Sequence, residues 1–194
     1  EKKSLLHYHH RFLEEMEQKG TQAMSLASMI AENPQVQSLL KEKDRQGLID
    51  LLMPTYVQLK MSFNIEQFHF HVPGAISFLR LHYLERFGDD LSSYRKTITD
   101  AVKTRRPVAG LELGATGFGI RAVAPVFFTT DIVGTVEIGH SFDGAFLDDL
   151  RLRWGIDLAL YEIKKRGVYY APMARSGRPF DDMEVRAFIP DPEV

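Results

Sequence analysis

Five segments in the middle of the chain set ionisable side chains among small and apolar neighbours. They are Gln67-Phe68-His69-Phe70-His71, Ser77-Phe78-Leu79-Arg80-Leu81-His82, Gly110-Leu111-Glu112-Leu113-Gly114, Gly119-Ile120-Arg121-Ala122-Val123 and Thr135-Val136-Glu137-Ile138-Gly139. An arginine fork binds a carboxylate through two parallel hydrogen bonds, and a nearby histidine adds a donor. Arg80 and His82, which share a strand face with Phe78 as an aromatic wall, are therefore the first candidates for holding a small anion, with His71 and Arg121 close by. Arg80 has a second reading, a structural bridge to Asp89 or Asp90. Glu112 and Glu137 either line the same pocket or neutralise Arg121 in a buried ion network, because buried charges without partners are prohibitively costly. Phe118, between Gly117 and Gly119, is either a pocket wall or a core residue.

His69 and His71, two apart on a strand, could ligate a transition metal if a carboxylate joined them. No third ligand stands close to them in sequence, and the chain has no cysteine. A hydrogen-bonded pair is the preferred reading, and no metal or cofactor is expected. His7 and His10 read as an exposed pair near the start.

These residues must be positioned by strands. Side chains alternate across a strand, so Gly110, Glu112 and Gly114 share one face, as do Gly119 with Arg121 and Glu137 with Gly139. Glycine beside a charge clears bulk around it. One sheet face thus carries a charged, cleared-out pocket, and the other is apolar.

Residues 1–64 read as helices. Leu5, Leu6, His9, Phe12, Leu13, Met16, Ala23, Leu26, Ala27 and Ile30 recur at helical steps from Lys2 to Ala31. Asn33-Pro34 interrupts this run, and two more helices follow, the third kinked at Pro54. Residues 65–166 form the ligand-binding sheet, with a helix over 91–104 capped by Asp89 or Asp90 and another over 142–154. Residues 167–194 complete the sheet or start a second module. The predicted fold is α+β: a long N-terminal helix on an antiparallel sheet of about five strands.

A 44% hydrophobic and 26% charged composition is ordinary for a globular chain, and a net charge of −2 gives no reason to expect nucleic acid or an anionic membrane surface as partner. No apolar run is long enough to span a membrane. The chain opens on Glu1-Lys2-Lys3 and stops at Asp191-Pro192-Glu193-Val194, and it reads as an excised fragment of a longer chain that could include membrane spans.

The runs Phe70-His71-Val72-Pro73, Phe78-Leu79-Arg80-Leu81-His82, Phe87-Gly88-Asp89-Asp90-Leu91-Ser92, Gly117-Phe118-Gly119-Ile120-Arg121 and Val133-Gly134-Thr135-Val136-Glu137, in this order, resemble the extracytoplasmic Cache sensor domains, relatives of PAS domains. The likeness is to the single-Cache modules, and to the membrane-distal part of double-Cache modules, of bacterial methyl-accepting chemotaxis proteins. It implies a periplasmic, non-catalytic domain of an inner-membrane receptor, flanked by transmembrane helices. Such a domain binds a small organic acid or similar anion, works as a homodimer, and signals through its long helix. Related modules on histidine kinases and diguanylate cyclases are the alternative. From a different class, a small metal-dependent hydrolase using His69, His71, Glu112 and Glu137 stands as a second reading.

Overall fold

Asn33 and Asp44 divide the N-terminal third into helices. In the computed structural model, which describes residues 2–114, 117–163 and 170–175, α1 spans Lys2–Ala31, α2 Pro34–Glu42 and α3 Arg45–Phe63. The Asn33 side chain accepts from the Gln35 and Val36 N–H groups with Pro34 at the first helical position, and Asp44 accepts from Gly47. Lys43 and Asn64 take the left-handed conformation that ends α2 and α3.

Five strands follow: β1 (Gln67–Val72), β2 (Ile76–Arg80), β3 (Val108–Gly114), β4 (Gly117–Phe128) and β5 (Asp131–Ser141), with α4 (Lys96–Thr104) between β2 and β3. They form one sheet in the order β2-β1-β5-β4-β3, and every paired neighbour is antiparallel. This is the α+β architecture expected.

One face is covered by helices. Phe68, Phe70, Leu79, Ala122, Ala124, Val126, Val136 and Ile138 pack there against Ala23, Ala27 and Ala31 of α1 and the apolar stripes of α2 and α3. Gly20 does not interrupt α1. It continues the buried small-residue seam of Ala23, Ala27 and Ala31, and its Cα hydrogens face Ala109 and Ile120 of the sheet. The close packing of α1 on the sheet is what uses it.

The opposite face is covered by the chain running from one sheet edge to the other. β2 and β3 lie at opposite edges, so residues 81–107 must cross the sheet. Ala75, Leu91, Ile98, Ala101 and Val123, with Val108, form a small second core beneath this crossing. Space left beside that core becomes the site.

A second compact unit, Phe142–Val194, is separate from Glu1–Ser141. Within it, α5 (Gly144–Trp154) is capped by Asp143, and β6 (Ala159–Ile163) pairs with β7 (Tyr170–Arg175) in a two-stranded sheet. The expected boundary lay at 166/167; the observed one falls at 141/142. Residues 115–116 and most of 167–194 lie outside the described residues.

His140 on β5 shares the helix-covered face with Ile138 and is buried. Burial first, and the Lys19 charge second, lower its pKa to about 4, the Asn64 backbone offsetting part of this. In the unfolded chain it protonates near its ordinary 6.5. The unfolded state therefore binds more protons below that pH. The stabilisation is complete above about pH 6.5 and is lost as pH falls, by at most about 1.4 kcal/mol per unit. Urea midpoints of His140→Leu should depend less on pH between about 6.5 and 4 than those of the wild type; parallel profiles would contradict this assignment.

Candidate functional site

The first residue of the site is set by strand alternation. Gln67, His69 and His71 of β1 point away from the helices, opposite Phe68 and Phe70. β5 presents Glu137 on this face, paired in register with His69, and Gly139 paired with Gln67. β4 presents Arg121, paired with Gly139 and Gly110. Glycines clear space here as expected. A Cβ at Gly139 would meet Gln67 Oε1 at 2.6 Å, and one at Gly119 would lie 3.1 Å from both Gln67 Oε1 and Arg121 Nε. A Cβ at Gly114 would overlap the Arg121 guanidinium.

Glu137 is the hub of an ion network. It is fully buried, accepts from Arg121 Nη1 through Oε1 at 2.6 Å, and from Arg95 Nη2 through Oε2 at 2.6 Å. Burial alone would raise its pKa; the charges of Arg95 and Arg121 outweigh burial and hold the carboxyl below its usual range. Glu112 accepts from Arg95 Nε at 2.7 Å and from the Thr97 hydroxyl and N–H at 2.6 and 2.9 Å. It thereby caps the N-terminus of α4, where an anion is favoured. That displaces the expected cap. Asp90 instead accepts from Ser92 N–H and Asp89 pairs with Arg80, so α4 begins at Lys96 rather than 91.

Arg80 faces His69 across β1–β2. Its Nη1 and Nη2 each donate to Asp89 at 2.8 Å, and Nη1 also reaches the Arg86 carbonyl. These hydrogen bonds from Arg80 are the chief reason the Asp89 carboxyl is lowered to about 2. The structural pairing weighed for Arg80 is thus present, and its fork is occupied. Arg80→Ala should lower stability by about 1.5–3 kcal/mol. An Asp89→Asn background should absorb most of that cost, since both changes remove one interaction. Additive costs in urea unfolding would show that the pair is not coupled.

Phe78 does not share the face of Arg80. The β1–β2 register shifts by one residue, from Phe70↔Leu79 to His71↔Ser77. Ser77 and Arg80 consequently face the site, while Phe78 packs against the helix-side core. A bulge of one residue breaks the parity on which the aromatic-wall reading stood. Phe118 has the parity of Ile120 and Ala122, on the side α1 covers.

The cavity holds about 190 Å³ and is lined by Gln67, His69, Arg80, His82, Tyr83, Arg86, Leu91, Tyr94, Arg95 and Arg121. Strands form its floor and residues 82–95 its roof. Of the sequence candidates, Arg80, His82 and Arg121 line it. Glu112, Glu137 and His71 lie behind as partners of lining residues, and Phe78 and Phe118 do not reach it. Sequence reasoning missed Gln67, Tyr83, Arg86, Leu91 and Tyr94, and it read His69 as half of a hydrogen-bonded histidine pair, a pairing the structure contains. The two-residue spacing of Gln67, His69 and His71 along β1 was the one available signal for Gln67.

Two buried polar atoms on the floor have no partner among the described residues: Arg121 Nε, a donor, and Gln67 Oε1, an acceptor. Such atoms cost folding free energy unless something binds them. Among the described residues every charged group lining the cavity is an arginine, and no carboxylate lines it. His69 and His82 are kept neutral, burial being the main cause of both depressed pKa values.

A long helix laid on a five-stranded antiparallel sheet, with a cavity under the β2–β3 crossing, defines a PAS-like sensory domain. The chain belongs to the dCache_3 family, described as the double sensory domain of two-component sensor kinases, which matches residues 1–179. Its family and fold are those of sensory domains. No curated protein sequence matches. Among solved structures it is similar to the Escherichia coli DcuS sensor domain, at 13% identity and a TM-score of 0.54 over 65% of this chain and 90% of that one. A sensory box/GGDEF family protein from Vibrio parahaemolyticus is similar at 14% identity and 0.57, over 76% and 62%. The Vibrio cholerae histidine kinase DctB sensor domain is similar at 14% and 0.50, over 72% and 57%. The chain thus spans less than two thirds of the latter two domains.

Proposed function

We propose that this chain is the extracytoplasmic ligand-binding part of a transmembrane receptor and that its cavity takes a small carboxylate. The observation that carries this reading is the lining itself: Arg80, Arg86, Arg95 and Arg121 without an acidic counterpart in the wall. Asp89, Glu112 and Glu137 balance three of those charges from outside the cavity. The sequence placed the main anchor at Arg80, helped by His82. With the Arg80 fork on Asp89, the anchor in this proposal is Arg121, whose Nε is unpartnered, and Arg80 and His82 border the ligand. Gln67 Oε1 then suits a ligand hydroxyl or ammonium group. The cavity volume, about six times one water's share of the liquid, admits a small acid rather than a sugar chain or a large apolar molecule.

For the output, the sequence put a chemoreceptor first. The family description is of sensor kinases, and this favours a histidine kinase. In either case α1 carries the signal, as a stiff element packed along the sheet that binds the ligand, through helix displacements of roughly 1–2 Å. Leu6, Leu13 and Met29 remain exposed on α1 and suit a homodimer seam. No helix among the described residues is long and apolar enough to cross a membrane.

A thermal-shift screen of roughly two- to six-carbon organic acids and amino acids tests the ligand class. A ligand at about a hundred times its Kd stabilises the fold by about 2.7 kcal/mol. A shift with small carboxylates is expected; shifts only with uncharged compounds, or none across the set, would count against the reading.

A further inference from the structure

His69, His71 and Glu137 are brought together although sequence showed no third ligand. His71 Nε2 lies 3.1 Å from His69 Nδ1 and 3.6 Å from Glu137 Oε2, and all three ligand atoms fall within 4.8 Å of one another. All three residues are buried. The outer nitrogens are held by hydroxyls: His69 Nε2 by Ser77 Oγ at 2.8 Å, and His71 Nδ1 by Thr135 Oγ1 at 2.9 Å. The inner nitrogens, His69 Nδ1 and His71 Nε2, hydrogen-bond to each other, and His71 Nε2 lies beside Glu137 Oε2. Zinc-like ions take imidazole nitrogen and carboxylate oxygen at about 2.0–2.2 Å, so ligand atoms spaced as His71 Nε2 is from its two neighbours can share one ion. Two imidazoles and a carboxylate suit divalent zinc, nickel or cobalt, and hydroxyls that fix the outer nitrogens are the supporting shell such sites use.

Charge decides when the site can fill. Arg95 and Arg121 already hold both Glu137 oxygens, so a dication there would meet two guanidinium groups with too little negative charge. His69 also lines the cavity, and an anion bound in it would supply both the missing charge and a fourth ligand. We propose that His69, His71 and Glu137 form a divalent transition-metal site that fills together with an anion in the adjoining cavity. The coupling rests on the anion-binding reading above; the ligand cluster does not.

Cobalt(II) chloride titrated into chelator-treated protein, with and without acetate, tests this through the visible absorption of protein-bound cobalt. Anion binding to the metal-free protein is measured separately, so failure of the two readings can be told apart. One cobalt per chain, bound more tightly with acetate, is expected. His71→Gln should abolish the signal. Thr135→Val, which keeps shape and removes only the supporting hydroxyl, should weaken cobalt binding roughly 10–100-fold even if His71→Gln fails to fold. No stoichiometric signal in either buffer would overturn the site, equal affinity in both buffers would overturn the coupling, and unchanged binding in Thr135→Val would overturn the ligand assignment.

Discussion

Glu137→Gln is expected to destabilise the first unit by about 3–5 kcal/mol, because it leaves Arg95 and Arg121 buried beside a neutral amide. Glu137 is fully buried, and each of its oxygens accepts from one arginine at 2.6 Å. The amide supplies one acceptor and an unwanted donor. The same physics gives an opposite expectation for removing Glu137 together with its two arginines, Glu112 keeping its hydrogen bonds from Thr97. Arg95→Met, Glu137→Leu and Arg121→Met combined should cost less than Glu137→Gln alone, since an apolar replacement of a buried ion cluster is often neutral. Urea unfolding of the two variants checks the order. A triple variant less stable than the single one would mean that the network is retained for stability rather than for its place behind the cavity.

Arg121→Lys is expected to weaken binding of the stabilising acid by roughly ten- to a hundred-fold, the loss of one charge-assisted hydrogen bond of about 1.5–3 kcal/mol. Lysine keeps the charge opposite Glu137 but has no Nε–H on a planar fork. Arg121 Nε is the donor on the floor that no described residue satisfies, which is why the effect falls on affinity. Calorimetric titration of the folded variant reads it; an unchanged Kd would remove Arg121 from the ligand.

The helices and strands were legible because their periods are local. The stripe of α1, the Asn33-Pro34 break and the alternation in β1, β4 and β5 each show within a dozen residues. So does the division into an apolar face and a charged one. What the sequence hid is non-local. Glu137 meets His69 because β5 lies beside β1, a pairing that the order β2-β1-β5-β4-β3 sets and no spacing announces. Phe78 was misplaced because a one-residue bulge reverses every parity argument across it. The Arg80–Asp89 pair was one of two readings open in the sequence, and the choice between them turned on the irregular chain of 81–95, where no period exists to read. That same chain contributes Tyr83, Arg86, Leu91 and Tyr94 to the roof, and roof residues in loops carry no alternation that would mark them.

The central claim is that the arginine-lined cavity holds a small carboxylate. A crystal structure of residues 1–194 grown with the acid that stabilises it most tests this directly. The account predicts a carboxylate within hydrogen-bond distance of Arg121 Nε, under Tyr83 and Tyr94, with Gln67 Oε1 accepting from the ligand's own donor and the Arg80–Asp89 pair intact. An acid bound elsewhere, with the cavity holding only water between Gln67 and Arg121, would contradict it.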